Sequence, residues 1–268
     1  MTTFERAFSD TEKAADSTLN AVKSTERLAK ALQKAAKEGN INAIKKACSN
    51  LKDALGSLNQ TVTNAVETWP FKDDEEEAYL RERYSKELQN TASEEGLKIH
   101  DEGDGRLIAY PSIVHVLPGD RTVRIDRKKV TTLRPSRLTG ILKEKQKKPP
   151  RFKPDVFLEA LHKTYLLISR ERTATLPVND KAGPVKLLVE IYEALTLLPD
   201  SGREYDRTEF AKGIYLLDVA KTTLRTKKGA RVSFPSSTGT KRAKDTFHFV
   251  GSDGNRVTYS GIQFFRGA

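Results

Sequence analysis

The sequence predicts an α+β chain, and three observations carry that expectation. Residues 3–37 contain neither Pro nor Gly and are rich in Ala, Lys, Glu and Leu. The stretch that follows repeats apolar residues at steps of four and three, and from residue 97 the pattern switches to short alternating runs divided by turn residues. Three segments result: residues 1–95 as an antiparallel helical hairpin plus a third helix, 96–153 as a small antiparallel β-meander followed by a basic strip, and 154–268 as helices followed by strands.

In the hairpin, "EGN" at Glu38–Asn40 supplies a glycine for the left-handed exit of the first helix and an asparagine to cap the second. The second helix carries Ile44, Cys48, Leu51, Leu55, Leu58, Val62, Ala65 and Trp69, a coiled-coil-like seam of three heptads. The first helix repeats the period with smaller residues: Phe4, Phe8, Thr11, Ala15, Thr18 and Val22. On such a seam Cys48 is expected to be buried and inert. After "WPFKDDEEEA" a third helix with Leu80, Tyr84 and Leu88 on one face is expected to end near Gly96, its acids Asp73 to Glu77 placed where the positive end of the helix dipole favours them. From Glu67 to Asp104 thirteen acids face five bases. This excess reads as capping plus a solvated face, or as a docking surface for a basic partner, this chain's own strip included. Residues 1–95 are expected to serve assembly, with a protein partner or a second copy.

In the middle segment Leu97 and Ile99 alternate with polar residues, "EGDG" marks a turn, Leu107–Tyr110 and Ile113–Leu117 read as one strand interrupted at Pro111, and "PGD" leads into Thr122–Ile125. A three-stranded meander is expected. Between Arg121 and Lys153 thirteen Lys or Arg then face only Asp126 and Glu144, an excess of +11 that equals the net charge of the whole chain. Excess of one sign confined to one segment points to a polyanion, the plainer alternative being a basic linker. Large apolar residues are too few there for a core element, and Pro135, Pro149, Pro150 and Pro154 favour extended backbone, with short helical character at Arg137–Lys145. Phe152 is the sole aromatic residue of the strip, which disfavours a single-strand stacking platform.

In the C-terminal segment a helix opens at Pro154 and Asp155 with Val156, Phe157, Leu161, Tyr165 and Ile168 on its buried side. "VKLLVEIYEALTLL" makes a second, and a third begins where Asp206 and Glu209 stand in capping-box spacing ahead of Phe210, Ile214, Leu217, Ala220 and Leu224. Strands follow at residues 230–235, 246–251 and 256–265, the last two joined by the hairpin turn "SDGN". Three helices and then a β-hairpin is the order of a winged helix-turn-helix, whose third helix enters the major groove. From Lys221 to Lys244 eight bases meet no acid.

The expected function is non-catalytic binding of nucleic acid, duplex DNA in the first place, by a subunit that assembles through its N-terminal helices. The candidate contacts are Arg121, Arg124, Arg127, Lys128, Lys129, Arg134, Arg137, Lys143, Lys145, Lys147 and Lys148 in the strip, and Lys221, Arg225, Lys227, Lys228, Arg231, Lys241 and Arg242 beyond it. Two alternatives remain. Acids at Glu94 and Glu95, the turn acid Asp104 and the strand end "IDRK" resemble the layout of PD-(D/E)xK nucleases, which implies Asp104 and Asp126 as Mg²⁺ ligands and Lys128 as the catalytic lysine. An adaptor whose strip meets an acidic protein is the other. The histidines His100, His115, His162 and His248 show no metal-ligand spacing, and neither a phosphate-binding glycine loop nor a Gly-x-Ser-x-Gly elbow occurs, so no cofactor or metal is expected. A single cysteine, no apolar stretch of eighteen residues and no signal-type N-terminus lead to the expectation of a cytoplasmic protein, with nucleoid association and no membrane.

Overall fold

A computed structural model describes residues 2–150, 152–169, 183–197, 205–221, 224–235 and 243–266. The chain is a mixed helix-and-sheet protein with antiparallel strand pairing, and it divides into two compact units: residues 1–92, 117–122 and 131–139 form the first, and residues 93–116, 123–130 and 140–268 the second.

The first unit is built on two long antiparallel helices, α1 (Phe4–Lys37) and α2 (Ile41–Glu67). Gly39 makes the turn at φ +66°, and the Asn40 side chain accepts from the Ala43 N–H at 3.0 Å. The facing residues are small on α1 and alternate between small and large on α2. Ala7, Thr11, Ala14, Thr18 and Ala21 of α1 turn inward, against Ala47, Leu51, Ala54, Leu58 and Thr61 of α2. Thr18 Oγ1 reaches the backbone oxygen of Thr61 at 3.1 Å, an approach that larger side chains at this interface would prevent. The predicted seam is thereby split. Leu51 and Leu58 face inward, but Cys48 is exposed and Leu55 and Val62 are 47% and 42% exposed. The Ala/Thr face permits closer backbones than the Leu stripe, and that difference fixes the rotation of α2.

Where the helices meet the rest of this unit, Phe4, Phe8, Trp69, Phe71, Tyr79 and Tyr84 form an aromatic cluster, with Phe4 and Tyr79 stacked at 4.5 Å. The expected third helix is two helices, α3 (Asp73–Glu82) and α4 (Tyr84–Glu94), broken at Arg83 (φ −125°). The break lets Glu87 accept the Phe4 and Glu5 N–H groups at 3.2 and 2.8 Å, so that a carboxylate caps α1 from a separate helix.

In the second unit, β1 (His100–Gly103), β2 (Arg106–Ala109), β3 (Ser112–Leu117), β4 (Thr122–Ile125) and β5 (Lys128–Val130) lie in that order in one sheet. Five strands replace the expected three for two local reasons. Tyr110–Pro111 is a turn between paired strands, with Ile108 opposite Ile113, and Asp126–Arg127 is a second tight turn that returns the chain as β5. The strip is also more ordered than its composition suggests. It supplies α5 (Pro135–Gln146), in which Leu138 and Leu142, one helical turn apart, are both fully buried.

α6 (Pro154–Ile168), β6 (Lys186–Leu187), α7 (Leu188–Leu195), α8 (Arg207–Ala220) and β7 (Ala230–Ser233) follow, then β8 (Phe247–Val250), β9 (Arg256–Tyr259) and β10 (Gly261–Arg266). β8 pairs with β9 as the "SDGN" hairpin, while β10 lies between β6 and β7 in a separate sheet. The single strand expected over 256–265 therefore changes sheets at buried Ser260, whose backbone oxygen accepts from the Leu188 N–H. One core joins these elements through Leu158, Leu161, Tyr165, Phe210, Phe247 and Phe264. Val156, expected in it, is 65% exposed, whereas its neighbour Phe157 packs inward.

Candidate functional site

The strip's cations do not form one continuous row, because carboxylates claim many of them. In the first unit Arg121 binds Glu76 at 2.6 Å and Asp73 at 3.4 Å, and Arg134 binds Glu5 at 2.8 Å and Glu12 at 2.5 Å, while Arg137 stands exposed on α5. In the second unit Arg127 meets Glu209, Lys143 meets Glu95 at 3.4 Å and Lys147 meets Glu144 at 2.5 Å. Arg124 donates to His115 Nδ1 at 3.1 Å. Burial, helped by the charges of Arg124 and Arg106, holds that imidazole below its ordinary value and so in the neutral form that accepts. Beyond the strip Lys221 pairs with Asp218 at 2.7 Å, Arg225, Lys227 and Lys228 are exposed, and Arg231 lies half-buried on β7. Lys128 and Lys129 project from β5. Lys241 and Arg242 lie outside the described residues.

A polar cluster of the second unit surrounds Asp126. Its carboxylate accepts from Lys145 Nζ at 3.1 Å, Lys212 Nζ at 2.9 Å, Ser112 Oγ at 2.9 Å and the Ile113 N–H at 3.1 Å. Burial pushes this carboxyl up, but the Lys212 ammonium and the donors from Ile113 and Ser112 outweigh it and hold it below the usual carboxylate range. The turn that presents it is strained. Asp126 and Arg127 adopt φ of +46° and +71° in succession, conformations that glycine or asparagine takes more readily. Arg127 then reaches Glu209 with both Nε and Nη2 and lies 5.7 Å over the Tyr205 ring. The cluster lines a cavity of about 630 Å³ whose other walls are Pro149, Pro150, Phe152 and Phe157.

The three residues of the nuclease layout are not brought together. Asp104 tips the β1–β2 turn beside the Gly103–Arg106 pair, whereas Asp126 lies next to Ile113 at the far end of β2 and β3. The length of β2 separates them, and the lone pairs of Asp126 are already shared among two ammonium groups, a hydroxyl and an amide. Among the described residues no group of three His, Cys, Asp or Glu is placed to hold a metal ion. His162 is buried against Phe264, with burial holding its pKa down, and His248 meets Glu102 and Arg256, a contact spanning 146 residues that no local spacing could signal. Sequence reasoning also missed Lys212 and Ser112, 86 and 14 residues from Asp126.

α8, expected as a groove-entering helix, is partly covered rather than closed off: five of its fourteen residues are buried, eight are half-buried and Val219 is exposed, with β8 and α6 packed against it. Among the described residues no helix is long and apolar enough to cross a membrane. Compared with known proteins, the chain matches no protein-family model, no curated protein and no solved structure.

Proposed function

We propose that the chain is a non-catalytic nucleic-acid-binding subunit that contacts the phosphate backbone of duplex DNA with its second unit and assembles through its first. Charge segregation carries this reading. The first unit holds 17 Lys or Arg against 16 Asp or Glu, the second 30 against 20, so +10 of the +11 excess belongs to the second. A surface evolved for solubility alone mixes its signs, whereas a polyanion partner selects an excess on one body.

Two finer readings go with it. A winged-helix-like C-terminal segment is supported by the order α6, β6, α7, α8, β7, β8, β9, β10, in which β6, β10 and β7 share one antiparallel sheet and β8 and β9 form a hairpin. In this variant the exposed Arg225, Lys227 and Lys228, rather than the partly covered α8, meet the backbone. A coiled-coil-like assembly role for the hairpin is supported by its outward apolar residues. Leu19 and Val22 follow inward Thr18 and Ala21, as Leu55 and Val62 follow Ala54 and Thr61, and in an antiparallel pair that offset turns all four to the same side. A cytoplasmic, nucleoid-associated location completes the proposal.

Fluorescence anisotropy with duplex and single-stranded DNA and RNA across a salt series tests it. Duplex binding is expected with a steep log–log salt slope, and replacing Arg225, Lys227 and Lys228 together by Ala should flatten the slope by about three units. Absence of binding at low salt would remove the proposal.

A further inference from the structure

The cavity beside Asp126 has two unlike walls. One is cationic: Asp126 is shared by Lys145 and Lys212, Glu209 is taken by Arg127, and Lys128 and Lys148 have no carboxylate within ion-pair distance among the described residues. The lining thus carries five positive and two negative charges, a surplus of three. The other is apolar: Pro149, Pro150, Phe152 and Phe157 line it, with the two phenyl rings edge to face at 5.6 Å. Gly213 of α8 leaves room for that wall, since a Cβ there would lie 3.0 Å from Phe157 Cζ. The cavity's 630 Å³ is within the range of small-ligand sites. Successive left-handed residues at Asp126 and Arg127 add the backbone strain that persists where surroundings over-determine a conformation, as at ligand clamps.

From these features we infer that the cavity is a nucleoside-phosphate site, its phosphate held by Lys128 and Lys148 and its base stacked on Phe152 and the prolyl rings. A doubly charged phosphate fits a surplus of three better than a singly charged acyl carboxylate would, and the Phe152 ring offers a face on which a base can stack. Asp126 is a positioning residue that holds Lys145 and Lys212 in place. The inference rests on the nucleic-acid reading and sharpens it, because the same chemistry is offered by a free nucleotide or by an unpaired nucleotide of a bound strand.

Isothermal titration of the full chain with adenosine monophosphate, adenosine and inorganic phosphate is the test, with duplex affinity measured in parallel. The monophosphate is expected to bind at one site and at least about tenfold more tightly than adenosine or phosphate alone. Phe152→Ala should weaken it by about 5- to 150-fold while duplex affinity stays unchanged. Lys128→Ala with Lys148→Ala, both on exposed side chains, should weaken it at least tenfold in a folded protein. Displacement of the monophosphate by a 5′-phosphorylated single strand supports the site as a receiver of strand nucleotides, and its persistence supports a free-nucleotide site. Duplex binding without monophosphate binding would overturn this inference alone; loss of both would overturn the nucleic-acid reading as well.

Discussion

Replacing Asp126 by Asn removes one charge from the centre of the second unit while sparing the turn, because asparagine tolerates the φ of +46° that alanine would strain. The amide keeps an acceptor for the Ile113 N–H but turns an NH₂ toward Lys145 or Ser112, which are donors themselves. A hydrogen bond to a charged group contributes about 1.5–3 kcal/mol; Lys145 loses its acceptor, and Lys212, which shares its oxygen with the Ile113 N–H, keeps only a neutral one. All three side chains keep some access to water, 29% for Asp126, 37% for Lys145 and 20% for Lys212, so solvent screening reduces the sum to about 2 kcal/mol. The sign with pH follows from the lowered carboxyl. A group whose folded value lies below its unfolded value, about 3.9 for Asp, stabilises above that value and loses the effect as pH falls through the folded one. Burial acts in the opposite direction, but Lys212 with the donors from Ile113 and Ser112 together outweigh it, so the sign stands. Equilibrium urea unfolding followed by circular dichroism should therefore show a gap of about 2 kcal/mol between wild type and Asp126→Asn at pH 7 that narrows below about pH 4. An undiminished gap in acid, or none at pH 7, would refute the assignment of Asp126 as an ionised hub.

Two further outcomes follow from the first unit. Glu5 accepts from Arg134 Nε, the Ser136 N–H and Ser136 Oγ at 2.8, 2.8 and 2.9 Å; burial pushes its carboxyl up, but these donors bring it below the ordinary value. Glu5→Gln should cost about 1–2 kcal/mol near neutral pH, with the cost fading in acid, as read by thermal unfolding. Cys48, exposed on α2, should react stoichiometrically with a thiol reagent in the native protein. Protection that is lost on dilution would mean that the outward face of the hairpin is covered by another chain, and protection independent of concentration would restore the seam read from periodicity.

Features encoded by neighbouring residues were legible in the sequence. Gly39 and Asn40 make the turn and cap they predict, Asp206 accepts from the Glu209 N–H at 2.9 Å, and Gly254 helps turn the β8–β9 hairpin. What failed to show is decided by tertiary partners. Nothing in "IDRK" announces a tight hairpin, because Arg stands at the second left-handed position, where Gly is favoured; Lys145, Lys212 and Glu209 hold the turn from distant parts of the chain. The α2 seam misled because apolar spacing reports which residues could be buried, while Thr18 against Thr61 decides which are. Asp126 and Lys128 stand out as a charged pair in the sequence, but the contact of Asp126 with Lys212, 86 residues on, could not be read from it.

The partial cover on α8 also constrains how the second unit could recognise nucleic acid. Reading base edges in a major groove needs several side chains projecting freely from one helical face, and on α8 Val219 is the sole fully exposed residue, with charged ones such as Glu209 and Lys212 held by partners. The available donors are lysine and arginine on loops and strand ends, which meet phosphates and carry little sequence information. Binding by such groups is strongly salt-dependent and indifferent to sequence. Any selectivity must then arise where the surface is shaped rather than merely charged. In the second unit the proposed place is the cavity beside Asp126, where Phe152 and the lining lysines would favour a nucleotide free to leave its stack over one held within a duplex.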